Sequence, residues 1–451
     1  MMETKYYTKY KNTTIPLINE IPINWTLGRV KNILDYTHYY PIGDGDHGSI
    51  KPDMYLDKGI PYIRVQNLSW NFNINYENLV HISKKVNKEN RKSILKPGDI
   101  LIAKTGATVG KMAIIPQNIN EANTTSSVGK ITINKEKYDN KYFAYLFLSF
   151  IFRQQIIETA FQKSAQPGFN IDDLIEFKIL IPPKNEQEQI AKYLDTKTTK
   201  IEQTITKNKQ LITLLKEKRT TLINQTVTKG LNPDIPMKES GIEWIGKIPE
   251  NWEIIRAKFL FKQRTDKGNN IQLQLLSSTQ KFGVIPQELY EELSGMSAVK
   301  VKEDNDLSSF KCIHKNDYCI SLRSFEGGFE FCEYEGVVSP AYSVFYPNLK
   351  INKIYYKYLF KEYCFIDNMK SYCMSLRDGK NISFENFANS YIPYPPLETQ
   401  NKIGKLLDNK IKVIDKTIEK IEKNIELLEE YKESLIHHVV TGKIDVRGVE
   451  V

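Results

Sequence analysis

The run Thr105-Gly106-Ala107-Thr108-Val109-Gly110-Lys111 brings glycines, hydroxyls and a lysine together as phosphate-cradling loops do. A nucleotide loop needs wider glycine spacing and a Ser or Thr after its lysine, whereas Met112 follows Lys111. The run suits the edge of a polyanion and not a nucleotide site. Phe325-Glu326-Gly327-Gly328-Phe329 likewise lacks the spacing of a dinucleotide turn and reads as a turn between strands. The six histidines form no metal-spaced set. The pair His437-His438 closes a helical run, where contact with the helix dipole is expected. Cys312, Cys319, Cys332, Cys364 and Cys373 contain no CxxC pair and read as buried free thiols. No Asn-Pro-Pro-Tyr or Asn-Pro-Pro-Phe segment could grip an extruded base, and no carboxylate cluster suits a nuclease. The chain is expected to bind and not to catalyse, with no cofactor or metal of its own.

Positioning of any binding surface falls to a stretch that occurs twice. Residues 181–229 open Ile181-Pro182-Pro183, continue Glu186-Gln187-Glu188-Gln189-Ile190, and run without Gly or Pro to Gly230. A constant shift of 213 residues lays Pro182 on Pro395, Ile190 on Ile403, Asp195 on Asp408 and Thr228 on Thr441. Ile21-Pro22-Ile23-Asn24-Trp25 also recurs, as Ile248-Pro249-Glu250-Asn251-Trp252, at a shift of 227. The first intervening domain is therefore longer by 14 residues, and the order is domain, helix, domain, helix.

Between Trp25 and Pro182 the pattern is one of short strands and turns. Ile60-Pro61-Tyr62-Ile63, Ile100-Leu101-Ile102-Ala103, Met112-Ala113-Ile114 and Lys130-Ile131-Thr132-Ile133 are β-prone, and Lys96-Pro97-Gly98-Asp99 signals a turn. Residues 138–161 carry Phe143, Phe147, Phe150 and Ile151 at helical spacing. The second domain repeats this plan with other side chains: Asn316-Asp317 precedes Tyr318-Cys319-Ile320, and residues 355–363 read as its aromatic helix. The fold class is α+β, with a pseudo-twofold internal duplication.

Both connectors carry a heptad seam. The first has Leu194, Ile201, Ile205, Asn208, Ile212 and Leu215; the second has Leu407, Ile414, Ile418, Ile421, Ile425 and Leu428. Asn208 is either a determinant of register or an ordinary solvated position. Helices of about 40 residues span roughly 60 Å. Packing them antiparallel closes the chain most simply, with a globular domain beside each end. The segments are residues 1–20, an extended arm; 21–183, a first domain; 184–229, a connector; 230–247, a linker; 248–396, a second domain; 397–441, a second connector; and 442–451, a tail.

The net charge of +9 permits a polyanion partner without demanding one. No apolar run reaches the roughly 20 residues of a membrane span, and the start lacks an apolar signal core, so a cytoplasmic location is expected.

With the duplicated connectors, residues 230–244 and Val440-Thr441-Gly442-Lys443-Ile444-Asp445-Val446 on the page, the chain resembles the specificity subunits of type I restriction–modification enzymes. The resemblance covers nearly everything after residue 20; residues 1–20 only faintly echo the linker before the second domain. It implies two target-recognition domains, each reading one half of a bipartite double-stranded DNA site. It implies helices that dock two methyltransferase subunits, which bind S-adenosylmethionine, and through them two restriction subunits, which use ATP and Mg. Recognition of this kind needs cations and small polar groups along phosphates and hydrogen-bonding loops at base edges. The candidates are Lys104, Thr105, Thr108, Lys111, Thr124, Thr125, Gln162, Lys163 and Gln166 in the first domain. In the second they are Arg323, Ser324, Phe325, Ser339, Tyr342, Arg377 and Lys380. Two other classes fit the same residues: the recognition half of a fused restriction–methylation enzyme, and a coiled-coil scaffold for protein-binding domains.

Overall fold

A computed structural model describes residues 5–15, 17–38, 40–162, 168–268, 273–296, 307–321, 328–372 and 382–449, without the side chains of Phe161 and Gln162. The chain forms two compact units: residues 1–207 with 423–451, and residues 208–422. The long helices Lys184–Lys229 and Leu397–Val440 each contribute one half to each unit.

In the first unit an antiparallel sheet runs in the order Ile42–Asp44, Val128–Ile131, Ile100–Ala103, Met112–Ile114. Its inner strands Val128–Ile131 and Ile100–Ala103 are buried along their whole length, and Leu101, Ala103, Ala113 and Val128 are fully buried in an aliphatic core with Ile63, Leu95 and Ile115. The second unit keeps the same order with Phe261–Gln263, Ser343–Pro347, Tyr318–Ile320 and Phe329–Phe331. Its core is aromatic instead: the Phe261 ring lies 5.6 Å from Tyr318 and 5.5 Å from both Phe345 and Phe360.

The turn before each central strand shows how topology outlives side chains. Gly98 (φ 86°) and Asn316 (φ 75°) both adopt the left-handed conformation that glycine and asparagine tolerate best. The aspartate after each accepts a backbone N–H three residues back, Lys96 N to Asp99 Oδ2 at 2.8 Å and His314 N to Asp317 Oδ2 at 2.9 Å.

Within each unit the halves of the long helices run antiparallel. In the first unit Lys432 Nζ lies 3.2 Å from Glu202 Oε1, and the Tyr142 hydroxyl is within reach of both the Leu180 and Val440 carbonyls, at 3.1 and 3.4 Å. In the second unit Arg219 Nε lies 3.0 Å from Asp415 Oδ1, and the Tyr355 hydroxyl donates to Val227 O at 2.7 Å. Leu194, Ile201, Ile205, Ile212, Leu407, Ile414, Ile418 and Ile425 are buried along the seams, while Leu215, Ile421 and Leu428 are half-buried. Asn208 sits half-buried on the seam, with its Nδ2 buried and unpartnered.

Several details differ from the sequence reading. The helix over 138–161 is two helices, Asn140–Leu148 and Phe150–Gln162, broken at Ser149, whose hydroxyl turns back to Leu146 O at 2.5 Å. Its counterpart is likewise split into Lys353–Leu359 and Tyr363–Ser371. Residues 5–20 are not an extended arm. Tyr10–Asn12 pairs with Glu20–Pro22 just as Met237–Glu239 pairs with Lys247–Pro249 in the second unit. Tyr7 is buried there beside Trp25, with ring centroids 5.9 Å apart, because its hydroxyl reaches the Glu186 carboxylate. Residues 441–447 pack on this hairpin: Asp445 N donates to Lys5 O at 2.8 Å, and the Arg447 guanidinium lies 4.6 Å from the Tyr7 ring centre. Gly442 (φ 74°) allows the approach, since a Cβ there would sit 2.4 Å from Pro22.

Cys319 and Cys332 are buried thiols, the latter pushed up to about 12 mainly by desolvation, but Cys312 is half-buried and Cys364 exposed. Cys373 and the expected turn at residues 325–327 lie outside the described residues.

His437 corrects the dipole reading. A favourable dipole contact requires an imidazolium, yet burial, aided by the charges of Lys443 and His438, lowers the His437 pKa to about 4, and its Nδ1 is buried without a partner. An unfolded imidazole protonates near 6.5. His437 thus contributes stability that is fully present above about pH 6.5 and is lost as pH falls through about 4. The His437→Phe variant should show a shallower loss of stability across that window in urea titrations at stepped pH; an unchanged slope would remove His437 as its source.

Candidate nucleic-acid interface

The loop Lys104 to Lys111 leaves the inner strand of the first sheet and returns on its neighbour as a tight hairpin. Gly106 (φ 80°) and Gly110 (φ 90°) supply the left-handed positions, and Ala103 N closes the turn on Lys111 O at 2.8 Å. Thr105, Thr108 and Lys111 are half-exposed on this loop, Ala107 is exposed, and no atom approaches the place of a Cβ on Gly106. Lys111 makes no ion pair among the described residues.

Two sequence candidates are withdrawn from this surface. Lys104 is buried, and its ammonium is bound to the Asp44 carboxylate, so its charge is already neutralised inside the domain. Thr124 is fully buried, and its hydroxyl donates to Ile63 O at 2.8 Å. Lys104 directly follows the buried strand Ile100–Ala103, and Thr124 ends the strand Asn123–Thr124, whose two side chains are both buried, which the composition of a polar run does not reveal. Thr125, one residue on, is half-exposed and closes the next turn through Val128 N at 3.0 Å.

In the second unit Ser339 and Tyr342 share one turn, with Tyr342 N donating to Ser339 O at 3.0 Å. Tyr342 also packs against the core cluster of Leu276, Val284 and Val344, so only its edge is open. Lys163, Gln166, Arg323, Ser324, Phe325, Arg377 and Lys380 lie outside the described residues, as does the side chain of Gln162.

Sequence reasoning passed over the loop at residues 43–49. His47 in it has φ 49° and a largely exposed ring whose Nε2 lies 3.0 Å from Asp44 Oδ1. The dense Gly-Asp-Gly-Asp-His-Gly pattern was the available signal, since such residues concentrate where the backbone must turn sharply.

Each unit therefore offers a duplicated scaffold with its own loops. The model of the type I restriction modification DNA specificity domain matches residues 47–213 and again residues 249–427. The chain belongs to this family. It is a type I specificity subunit with two copies of the specificity domain. A protein assigned as the type I restriction enzyme MjaX specificity subunit of Methanocaldococcus jannaschii is 27% identical over 98% of both chains. The EcoBI specificity subunit of Escherichia coli is 25% identical across 48% of this chain and 45% of its own. Among solved structures, the HsdS subunit from Thermoanaerobacter tengcongensis aligns over 96% of this chain and 100% of its own with a TM-score of 0.53 at 13% identity. A chain from a study of complex assembly and conformational transition in the type I system aligns over 94% and 99% with a TM-score of 0.68, also at 13% identity. These structural likenesses carry the fold of the specificity subunit. Among the described residues, no helix is long and apolar enough to cross a membrane.

Proposed function

We propose that this specificity subunit is the non-catalytic DNA reader of a cytoplasmic type I restriction–modification complex, each unit reading one half of a bipartite duplex site. The observation that carries this is one sheet topology used twice with different side chains, Ile100 and Leu101 in one central strand against Tyr318 and Cys319 in the other. A repeated frame whose side chains have diverged suits the reading of two different half-sequences. The long helices set the separation of the readers and dock two methyltransferase subunits. Support for docking comes from large apolar side chains left exposed on them, Leu214 and Val413 in one unit and Leu427 and Tyr431 in the other. The methyltransferases bring S-adenosylmethionine; two restriction subunits, joined through the complex, bring ATP and Mg.

The purified chain, with and without its methyltransferase partner, should be incubated with duplex DNA and labelled methyl donor. Adenine methylation only in the mixture is expected. Methylation or cleavage by the isolated chain would make it an enzyme in its own right, and a mixture that neither binds nor methylates duplex DNA would leave only a protein scaffold.

A further inference from the structure

The first unit has a cationic face made of residues other than the candidates above. The helix Lys84–Glu89 and the turn Arg91–Ser93 bring Lys84, Lys85, Lys88, Arg91 and Lys92 to the surface, all exposed. Glu89 is the one carboxylate in this stretch, and among the described residues none of the five cations forms an ion pair. This contrasts with Lys104 and Lys141, which are held by Asp44 and Asp195. Lys84, Lys85, Lys88 and Arg91, with Glu89, line one shallow depression.

The face is rigidly mounted. The Ser83 hydroxyl caps the helix by accepting Val86 N at 3.2 Å. The buried Asn87 accepts from Asn123 Nδ2 at 2.7 Å, and Asn123 Nδ2 also reaches Asn90 O at 3.3 Å, tying the basic segment to the strand that ends at Thr124. Ser49 Oγ donates to Asn90 Oδ1 at 2.6 Å, which ties it to the loop at residues 43–49. That loop in turn lies flat on Thr125, because a Cβ on Gly45 would fall 2.1 Å from the Thr125 carbonyl carbon. The loop's own acids are already engaged: Asp44 with Lys104 and His47, and Asp46 with Ile50 N at 2.7 Å. The basic segment is therefore held through these contacts beside the half-exposed Thr125.

Five unpaired like charges held this close repel one another, and a polyanion laid across them removes that cost while releasing its counterions. We infer that the face formed by Lys84, Lys85, Lys88, Arg91 and Lys92 grips the phosphate backbone of duplex DNA beside the half-site read by the first unit. The inference rests on the DNA-reading role proposed above.

The test uses the chain reconstituted with its methyltransferase. Combined Lys84→Ala, Lys85→Ala, Lys88→Ala and Arg91→Ala should weaken binding to cognate and unrelated duplexes alike, by at least about tenfold near 0.15 M salt. It should also flatten the plot of log affinity against log salt by about 0.9 for each phosphate that is no longer neutralised. The methylated motif should stay the same, and the matching set with Lys→Arg at the three lysines should keep the wild-type slope. An unchanged slope with unchanged affinity overturns the inference, as does a loss confined to the cognate duplex at constant slope. If the wild-type mixture itself binds no duplex, the DNA-reading role fails and this grip fails with it.

Discussion

Excising residues 208–214 from the first long helix and 421–427 from the second should shorten the preferred spacer between half-sites by about three base pairs. Each excision removes one heptad and keeps the seam in phase, since Leu215 then follows Ile205, and Leu428 follows Ile418, at the three-residue spacing of the repeat. Seven residues of α-helix amount to about 10 Å, and duplex DNA advances about 3.4 Å per base pair. On the original spacer one unit no longer reaches its bases. At about 1–3 kcal/mol for each good bidentate pair with a base, forgoing two of them lowers methylation by roughly 30-fold or more. Three base pairs also turn one half-site by close to a third of the helical repeat of about 10 base pairs, so activity on the new spacer should remain below wild type on its own. Methylation of a duplex series differing only in spacer reads this directly. An unchanged optimum would show that helix length does not set the separation.

The second large effect is expected at Glu186. Its buried carboxylate receives Trp25 Nε1 at 2.8 Å, Asn24 Nδ2 at 3.0 Å and the Tyr7 hydroxyl. Burial, then the hydrogen bond to Glu186, holds the Tyr7 phenol far above its usual range, so the hydroxyl keeps its proton and donates. Replacing Glu186 with Ala leaves an indole N–H and a phenol O–H buried without acceptors, at about 1–3 kcal/mol each. The first unit should then unfold roughly 4–24 °C lower, taking about 2–4 °C per kcal/mol for a unit of this size. Amides of residues 7–25 should lose exchange protection first. Thr399, the equivalent position at a shift of 213 residues, is only half-buried, so Thr399→Ala serves as a control expected to move melting little. Calorimetry showing the same transition for Glu186→Ala as for wild type would rule out the carboxylate as the anchor of the hairpin.

Much of the frame could be read before any coordinates. Duplication at shifts of 213 and 227 residues, the heptad seam, and the Gly98 and Asn316 turns are local properties. Repeats, periodicity and left-handed backbone positions need no knowledge of distant neighbours. The site was less legible. Lys104 and Lys111 belong to the same polar run, yet one is neutralised by Asp44, sixty residues back in sequence, and the other is half-exposed. Thr124 and Thr125 look interchangeable as letters, yet Thr124 ends a strand buried on both faces and Thr125 begins the half-exposed turn after it.

By itself the sequence determined the family, the two-domain repeat, the helical connectors and the absence of a recognisable catalytic motif. Only the tertiary structure decided which charges are available. Whether a cation is free depends on whether folding brings a carboxylate to it, as at Lys104, or leaves it on an open face, as at Lys84, Lys85 and Lys88. Folding likewise replaced the expected extended arm by an anchored hairpin of Tyr10–Asn12 with Glu20–Pro22, because Tyr7 meets Glu186 across 179 residues of chain. Desolvation and pairing are set by such distant contacts, and no local pattern encodes them.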